Sequence, residues 1–152
     1  MKTESNKSKL NKILSGSYIF YFALFFVGIL FDLKFPTHFF QNSYTMSVGF
    51  LFIVFASILI FWIKVNSKKM KKEVLTKEDF LHGPYKYTSI PNHWGIFILI
   101  LGFGIMVNAV FMIVLTTFSF FLTLPVFLKM QETVLSEKYG TPYTEYRKIV
   151  KF

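Results

Sequence analysis

The sequence predicts an all-α integral membrane protein: four transmembrane helices, the last two a tight hairpin, followed by a short cytoplasmic C-terminal helix. Three observations carry this reading. Hydrophobic residues make up 53% of the 152-residue chain and charged residues only 16%, too little charge to cover the surface of a water-soluble domain. The apolar residues fall in long uncharged blocks of bilayer-crossing length. The lysines and arginines lie between those blocks, grouped as they would be if alternate loops faced opposite sides of a membrane.

The first block, Ile13 to Phe31, carries no charge and ends at Asp32 and Lys34. A cleaved signal peptide is the competing reading, but this stretch is long for one, and it closes on bulky Phe31 and Asp32 instead of small residues. The second block runs from Tyr44 to Ile63, with Trp62 and Lys64 as interfacial anchors at its end. The third, Ile90 to Leu128, is 39 residues without a formal charge, about 58 Å of helix and nearly twice the hydrocarbon thickness. It must fold back. Val107-Asn108-Ala109 holds the polar residue suited to the turn, Gly95, Gly102 and Gly104 allow close helix packing, and Pro125 frees the carbonyl of residue 121 and can bend the last span.

The basic residues decide the number of spans. The N-terminal arm, first loop, second loop and tail hold four, one, seven and five of the 17. Four spans place the three basic segments together on the cytoplasmic side, whereas three would carry the five-charge tail across. The chain is thus one membrane domain, 1–152. Its spans lie at about 13–31, 44–63, 91–107 and 109–128, joined by a cytoplasmic connector over 64–90 and closed by a cytoplasmic tail over 129–152. Both termini are cytoplasmic. The net charge of +9 then belongs with lipid headgroups and not with nucleic acid. The absence of cysteine excludes disulfides and thiolate-ligated metals, and no metal site is expected.

Between Lys64 and Leu81 charged and apolar residues alternate, which predicts a short amphipathic helix on the membrane surface. Thr76, followed by Glu78 and Asp79, reads as its N-cap and acidic first turn. After the last span the helical spacing of Met130, Val134 and Leu135 continues to Tyr139. Gly140 suits a C-terminal cap and Pro142 the first turn of a final helix, whose Tyr143 and Tyr146 share a face. So short a helix must pack on something, and the nearest candidate is Gly-Pro-Tyr-Lys-Tyr-Thr-Ser-Ile-Pro-Asn-His-Trp-Gly at 83–95. Pro91 begins a helix whose N-terminus offers unpaired N–H groups. Gln131-Glu132 leaves the membrane opposite, and Tyr85, Tyr87, His93 and Trp94 are expected to wall a polar pocket between them.

These residues are similar to a pattern in the isoprenylcysteine carboxyl methyltransferase family and its phospholipid-methyltransferase-like relatives. There, Gly-Pro-Tyr precedes Arg-His-Pro-x-Tyr-x-Gly, and a Glu-Glu pair precedes a Leu-x-x-x-Tyr-Gly-x-x-Tyr-x-x-Tyr tail. Gly83-Pro84-Tyr85, Pro91, Gly95, Glu132, Leu135, Tyr139-Gly140, Tyr143 and Tyr146 match. Ser89-Ile90 replace Arg-His, His93 replaces Tyr, and Gln131 replaces the first acid. The resemblance covers about residues 45 to 152. It implies S-adenosylmethionine as cofactor and a small or lipophilic methyl acceptor at the cytoplasmic membrane face. Tyr85, Pro91, His93, Trp94, Gly95, Gln131 and Glu132 are the cofactor-binding candidates. On this resemblance Glu132 would orient the cofactor and Arg147 would steady an anionic acceptor, with His93 partly replacing the lost imidazole.

Each residue also has a plainer reading. Glu132 can pair with Lys129 or Lys86, Arg147 can contact headgroups, His93 and Trp94 can be interfacial anchors, and Tyr85 and Tyr146 can be packing aromatics. Two other functions remain open: an inactive scaffold, which the Ser89-Ile90 replacement favours, and a membrane reductase of the steroid-reductase type, suggested by Thr88-Ser89-Ile90-Pro91. A pore lacks support, because no Asp, Glu, Lys or Arg lies within the spans.

Overall fold

The structure, a computed structural model, describes residues 2–35, 43–69 and 76–150. Every regular element among them is helical: α1 (Lys2–Lys34), α2 (Ser43–Lys69), α3 (Lys77–Phe80), a 3₁₀ turn (Gly83–Lys86), α4 (Pro91–Met106), α5 (Val110–Tyr139) and α6 (Thr141–Ile149). Three helices are long and apolar enough to cross a membrane, over Asn11–Lys34, Tyr44–Ser67 and Val110–Tyr139. They also turn large apolar side chains outward, among them Phe22 and Leu30 of α1, Leu51 and Phe61 of α2, and Phe118 and Leu122 of α5. Apolar exposure on this scale fits a hydrocarbon surrounding and would aggregate in water. With 16 residues, α4 is about 24 Å long, short of a typical bilayer core of about 30 Å.

The uncharged run from 90 to 128 is divided between α4 and α5 at Val107-Asn108-Ala109. Asn108 takes the left-handed conformation (φ 57°), which asparagine tolerates better than most residues. The Ala109 N–H closes the turn on the Gly104 carbonyl at 2.8 Å. From there α4 and α5 run antiparallel: Gly104 lies against Ile113, Phe97 stacks on Phe120 with ring centres 4.1 Å apart, and His93 reaches Phe127. Pro125 lies inside α5 without ending it.

The outer two helices pack on different partners, α2 along α4 and α1 along α5. Glycine sets the first pairing. A Cβ on Gly49 would lie 2.7 Å from the Gly102 carbonyl oxygen, and one on Gly102 would lie 3.0 Å from that of Gly49, so the two backbones approach directly, as small residues permit in bilayers. Aromatic rings and one acid set the second. Tyr21 packs on Phe120 and Phe127. Asp32, at the end of α1, accepts the N–H groups of Phe111 (3.0 Å) and Met112 (2.9 Å). That carboxylate satisfies two of the unpaired donors in the first turn of α5. In the sequence it reads only as the end of a span.

The expected amphipathic surface helix takes another form. α2 continues to Lys69, residues 70–75 lie outside the described residues, and α3 is a single turn. Thr76 does cap it, donating its N–H and hydroxyl to Asp79 Oδ2, both at 2.8 Å. Its Phe80 is buried against the tail, not turned toward lipid, because the tail offers an aromatic face.

Candidate functional site

The tail returns to the segment before α4. Gly140, at φ 61°, ends α5 and starts α6 with no intervening loop, and Pro142 stands in the first turn of α6. Tyr143 and Tyr146 then share a buried cluster with Phe80 and Val150, so the main packing partner of α6 is α3, where the sequence suggested 83–95. The second anchor is the expected one: the Tyr146 hydroxyl donates to the Tyr85 carbonyl at 2.7 Å. Gly83 makes this segment possible. It has φ 63°, and a Cβ there would lie 2.6 Å from the Asn66 side chain, so any other residue would be strained and would collide.

Arg147 is the polar centre of this cap. Its Nε donates to Glu132 Oε1 at 3.2 Å and its Nη2 to Oε2 at 3.4 Å, a two-point contact that the planar guanidinium favours. Its Nη1 donates to Ser89 Oγ at 3.2 Å and to the Val150 carbonyl at 2.6 Å. Three segments distant in sequence are joined through one side chain. Glu132 pairs with Arg147 and not with Lys129 or Lys86, and its side chain is 43% exposed against 14% for Arg147. A groove of about 240 Å³ runs beside the pair, lined also by Ser136, Tyr143, Thr144 and Lys148.

Burial pushes the Tyr143 phenol up to about 12, with Glu132 adding to the rise and Arg147 opposing it. Burial likewise pushes Tyr85 up to about 12, with Tyr18 and Tyr139 adding, and it raises Tyr146. The three phenols stay neutral at physiological pH and serve as donors and packing surfaces.

The remaining predicted residues do not join this groove. His93 is fully buried among the rings of Tyr18, Tyr21 and Phe127, at centroid distances of 6.4, 6.3 and 5.6 Å. Neither of its ring nitrogens has a hydrogen-bond partner. Trp94 packs edge-on against Phe97 and Phe120. Gly95 seats α4 under Ile60, where a Cβ would lie 2.8 Å from that side chain. Pro91 and Gln131 are buried, and Tyr87 is exposed. The single wall expected from Tyr85, Tyr87, His93 and Trp94 is therefore corrected to two separate places, the Glu132–Arg147 groove and the ring-lined surroundings of His93. The helix that carries His93 and Trp94 turns them into the bundle, away from α6. Ser89 was missed as a partner because its contact lies 58 positions away in sequence.

No protein-family model, curated protein or solved structure matches the chain.

Proposed function

We propose that the chain crosses the membrane four times, with both termini cytoplasmic. We propose further that its cap binds S-adenosylmethionine to direct methyl transfer to a lipophilic acceptor at the cytoplasmic face. The observation that carries this reading is the Glu132–Arg147–Ser89 constellation. A carboxylate beside a guanidinium complements an amino-acid zwitterion: Glu132 suits the ammonium group and Arg147 the carboxylate. The groove of about 240 Å³ is smaller than whole-ligand pockets of about 300–1,000 Å³ and fits that amino-acid end. In the resembling family an arginine stands at the Ser89 position. Here the guanidinium of Arg147 reaches the same place from the tail.

S-adenosylmethionine would supply a methyl group already activated on a sulfonium, so the protein need only position the reactants and exclude water. Glu132 and Arg147 would orient the cofactor, and the Phe80–Tyr143–Tyr146 cluster would hold α6 in place. Calorimetry on the full chain in detergent tests this. Binding is expected for the wild type and lost in Glu132→Gln, and no heat at millimolar S-adenosylmethionine would end the proposal. A non-catalytic membrane scaffold is the second reading. It is favoured by the engagement of Arg147 with Glu132, Ser89 and the Val150 carbonyl, which leaves a ligand to displace existing bonds.

A further inference from the structure

The uncharged stretch of α5 ends on a cation that the protein leaves without a counter-charge. At the start of the helix Asp32 accepts the Phe111 and Met112 N–H groups, and Lys129 is the first formal charge on α5 after them. Lys129 stands 18 positions after Phe111, about 27 Å along the helix, so the two charges bracket a hydrocarbon core of about 30 Å. Among the described residues no carboxylate pairs with Lys129. Glu132, the nearest acid along the chain, gives both oxygens to Arg147.

A groove lies beside this charge. Pro125, Val126, Lys129, Met130 and Thr133 line about 480 Å³ on the outer face of α5. Phe118 and Leu122 carry the same face deeper into the span, since 118, 122, 126 and 129 recur at i, i+4, i+8 and i+11, and all four side chains are exposed. From Lys129 to Phe118 is about 16 Å of helix, half the hydrocarbon thickness and the depth of one leaflet. The groove therefore has the length of one acyl chain and a charge at its wet end. The Thr133 hydroxyl donates to the Lys129 carbonyl at 2.9 Å, which leaves the ammonium to meet a headgroup. Recognition then goes by charge and not by headgroup shape. A zwitterionic lipid brings its own cation to its phosphate, whereas an anionic one leaves that phosphate for the lysine.

We propose that this face of α5 binds an anionic phospholipid, with its phosphate on Lys129 and one acyl chain laid along Val126, Leu122 and Phe118. The lysine stem lies on the apolar groove while its head reaches the phosphate. The site rests on α5 crossing the bilayer and needs no S-adenosylmethionine, so it stands or falls separately from methyl transfer.

Photolabelling of the full chain tests it, in nanodiscs of equimolar phosphatidylglycerol and phosphatidylcholine carrying a trace of either lipid with a diazirine in its chain. On the Phe118–Met130 stretch the phosphatidylglycerol probe should give about fivefold more adduct than the phosphatidylcholine probe, as one lysine at the membrane surface predicts. Around the outward-facing Leu51 of α2 the two probes should label equally. Lys129→Gln should bring the α5 stretch to parity, and Lys129→Arg should keep the preference. Arg147→Ala frees Glu132 to neutralise Lys129 and should also lower it. Equal labelling of α5 by both probes, an equal preference around Leu51, or a preference that survives Lys129→Gln would each overturn the proposal. So would a stretch without lipid adducts, the mark of a protein partner covering it.

Discussion

The cap pairs the polar side chains at its centre, whereas the interior of the bundle pairs some, such as Tyr21 with Thr123, and leaves others unpaired. In the cap, Arg147 makes contacts to Glu132, Ser89 and Val150, and the Tyr146 hydroxyl finds the Tyr85 carbonyl. Inside the bundle, His93 and Thr116 are buried with side-chain polar atoms that have no partner. Glu132 is partly exposed, and its pairing joins segments that would otherwise separate into solvent. His93 is surrounded by rings that offer it nothing. A satisfied polar group explains itself by what it holds together. An unsatisfied one is a cost that the packing around it must cover.

The largest effect expected from breaking this contrast is at Arg147. Its replacement by alanine strands Glu132 and frees Ser89 and the Val150 carbonyl. Because Glu132 is partly solvated, the loss should be about 2 kcal/mol, between the values for exposed and buried pairs. Thermal unfolding in detergent measures it, and Arg147→Lys should recover less than half, since an ammonium group cannot reproduce the planar fork. An unchanged melting temperature in Arg147→Ala would mean that the aromatic cluster alone holds the tail.

Asp32 is the next test, a polar group at the opposite end of the bundle that is satisfied as fully as the cap. Asp32→Ala removes the acceptor for the Phe111 and Met112 N–H groups and should cost about 1 kcal/mol, as a lost helix cap does. Hydrogen exchange should rise in the first turn of α5 and not in α6. Equal changes at both ends would show that the two regions are coupled.

What could be read from the sequence was whatever the chain decides locally. Asn108 tolerates the left-handed turn, Gly140 the cap and Pro142 the first helical turn, while Tyr143 and Tyr146 must share a face at i and i+3. Charge counts along the chain likewise suffice to mark the long apolar helices. The partners of Asp32 and Arg147 were not legible, because each contact joins residues far apart in sequence and depends on which helices pack together. His93 was legible as a polar residue entering an apolar run, and a place beside Glu132 was expected. The rotation of α4, set by Gly95 and Gly102 against α2, turned it into the bundle instead. Helix phase of this kind depends on packing against a neighbour, which a single helix does not encode.

His93→Phe should change stability with the opposite sign. The ring keeps its contacts with Tyr18, Tyr21 and Phe127 and removes two unsatisfied nitrogens, so the protein should gain up to about 1 kcal/mol. A loss of stability would mean that the imidazole has a partner in the folded bundle and that the contrast with the cap is false.

The smallest effect at neutral pH, and the sharpest at high pH, concerns the phenols that back the cap. Tyr143 and Tyr85 are raised from 10.0 to about 12 by burial. A group whose folded value lies above its unfolded value contributes stability that is fully present below the unfolded one and is lost as pH rises toward the folded one. The cap should therefore be insensitive to pH up to about 10 and weaken between about 10 and 12, as ionisation becomes the route to opening. Tyrosinate absorbance in the folded protein should show a class titrating well above that of the denatured chain. Tyr143→Phe should remove one tyrosine from that class and flatten the decline in melting temperature while leaving stability at pH 7 almost unchanged. If Tyr143→Phe left the high-pH class at full amplitude, the phenol would already be in contact with water, and the aromatic cluster would not be what seals α6 against α3.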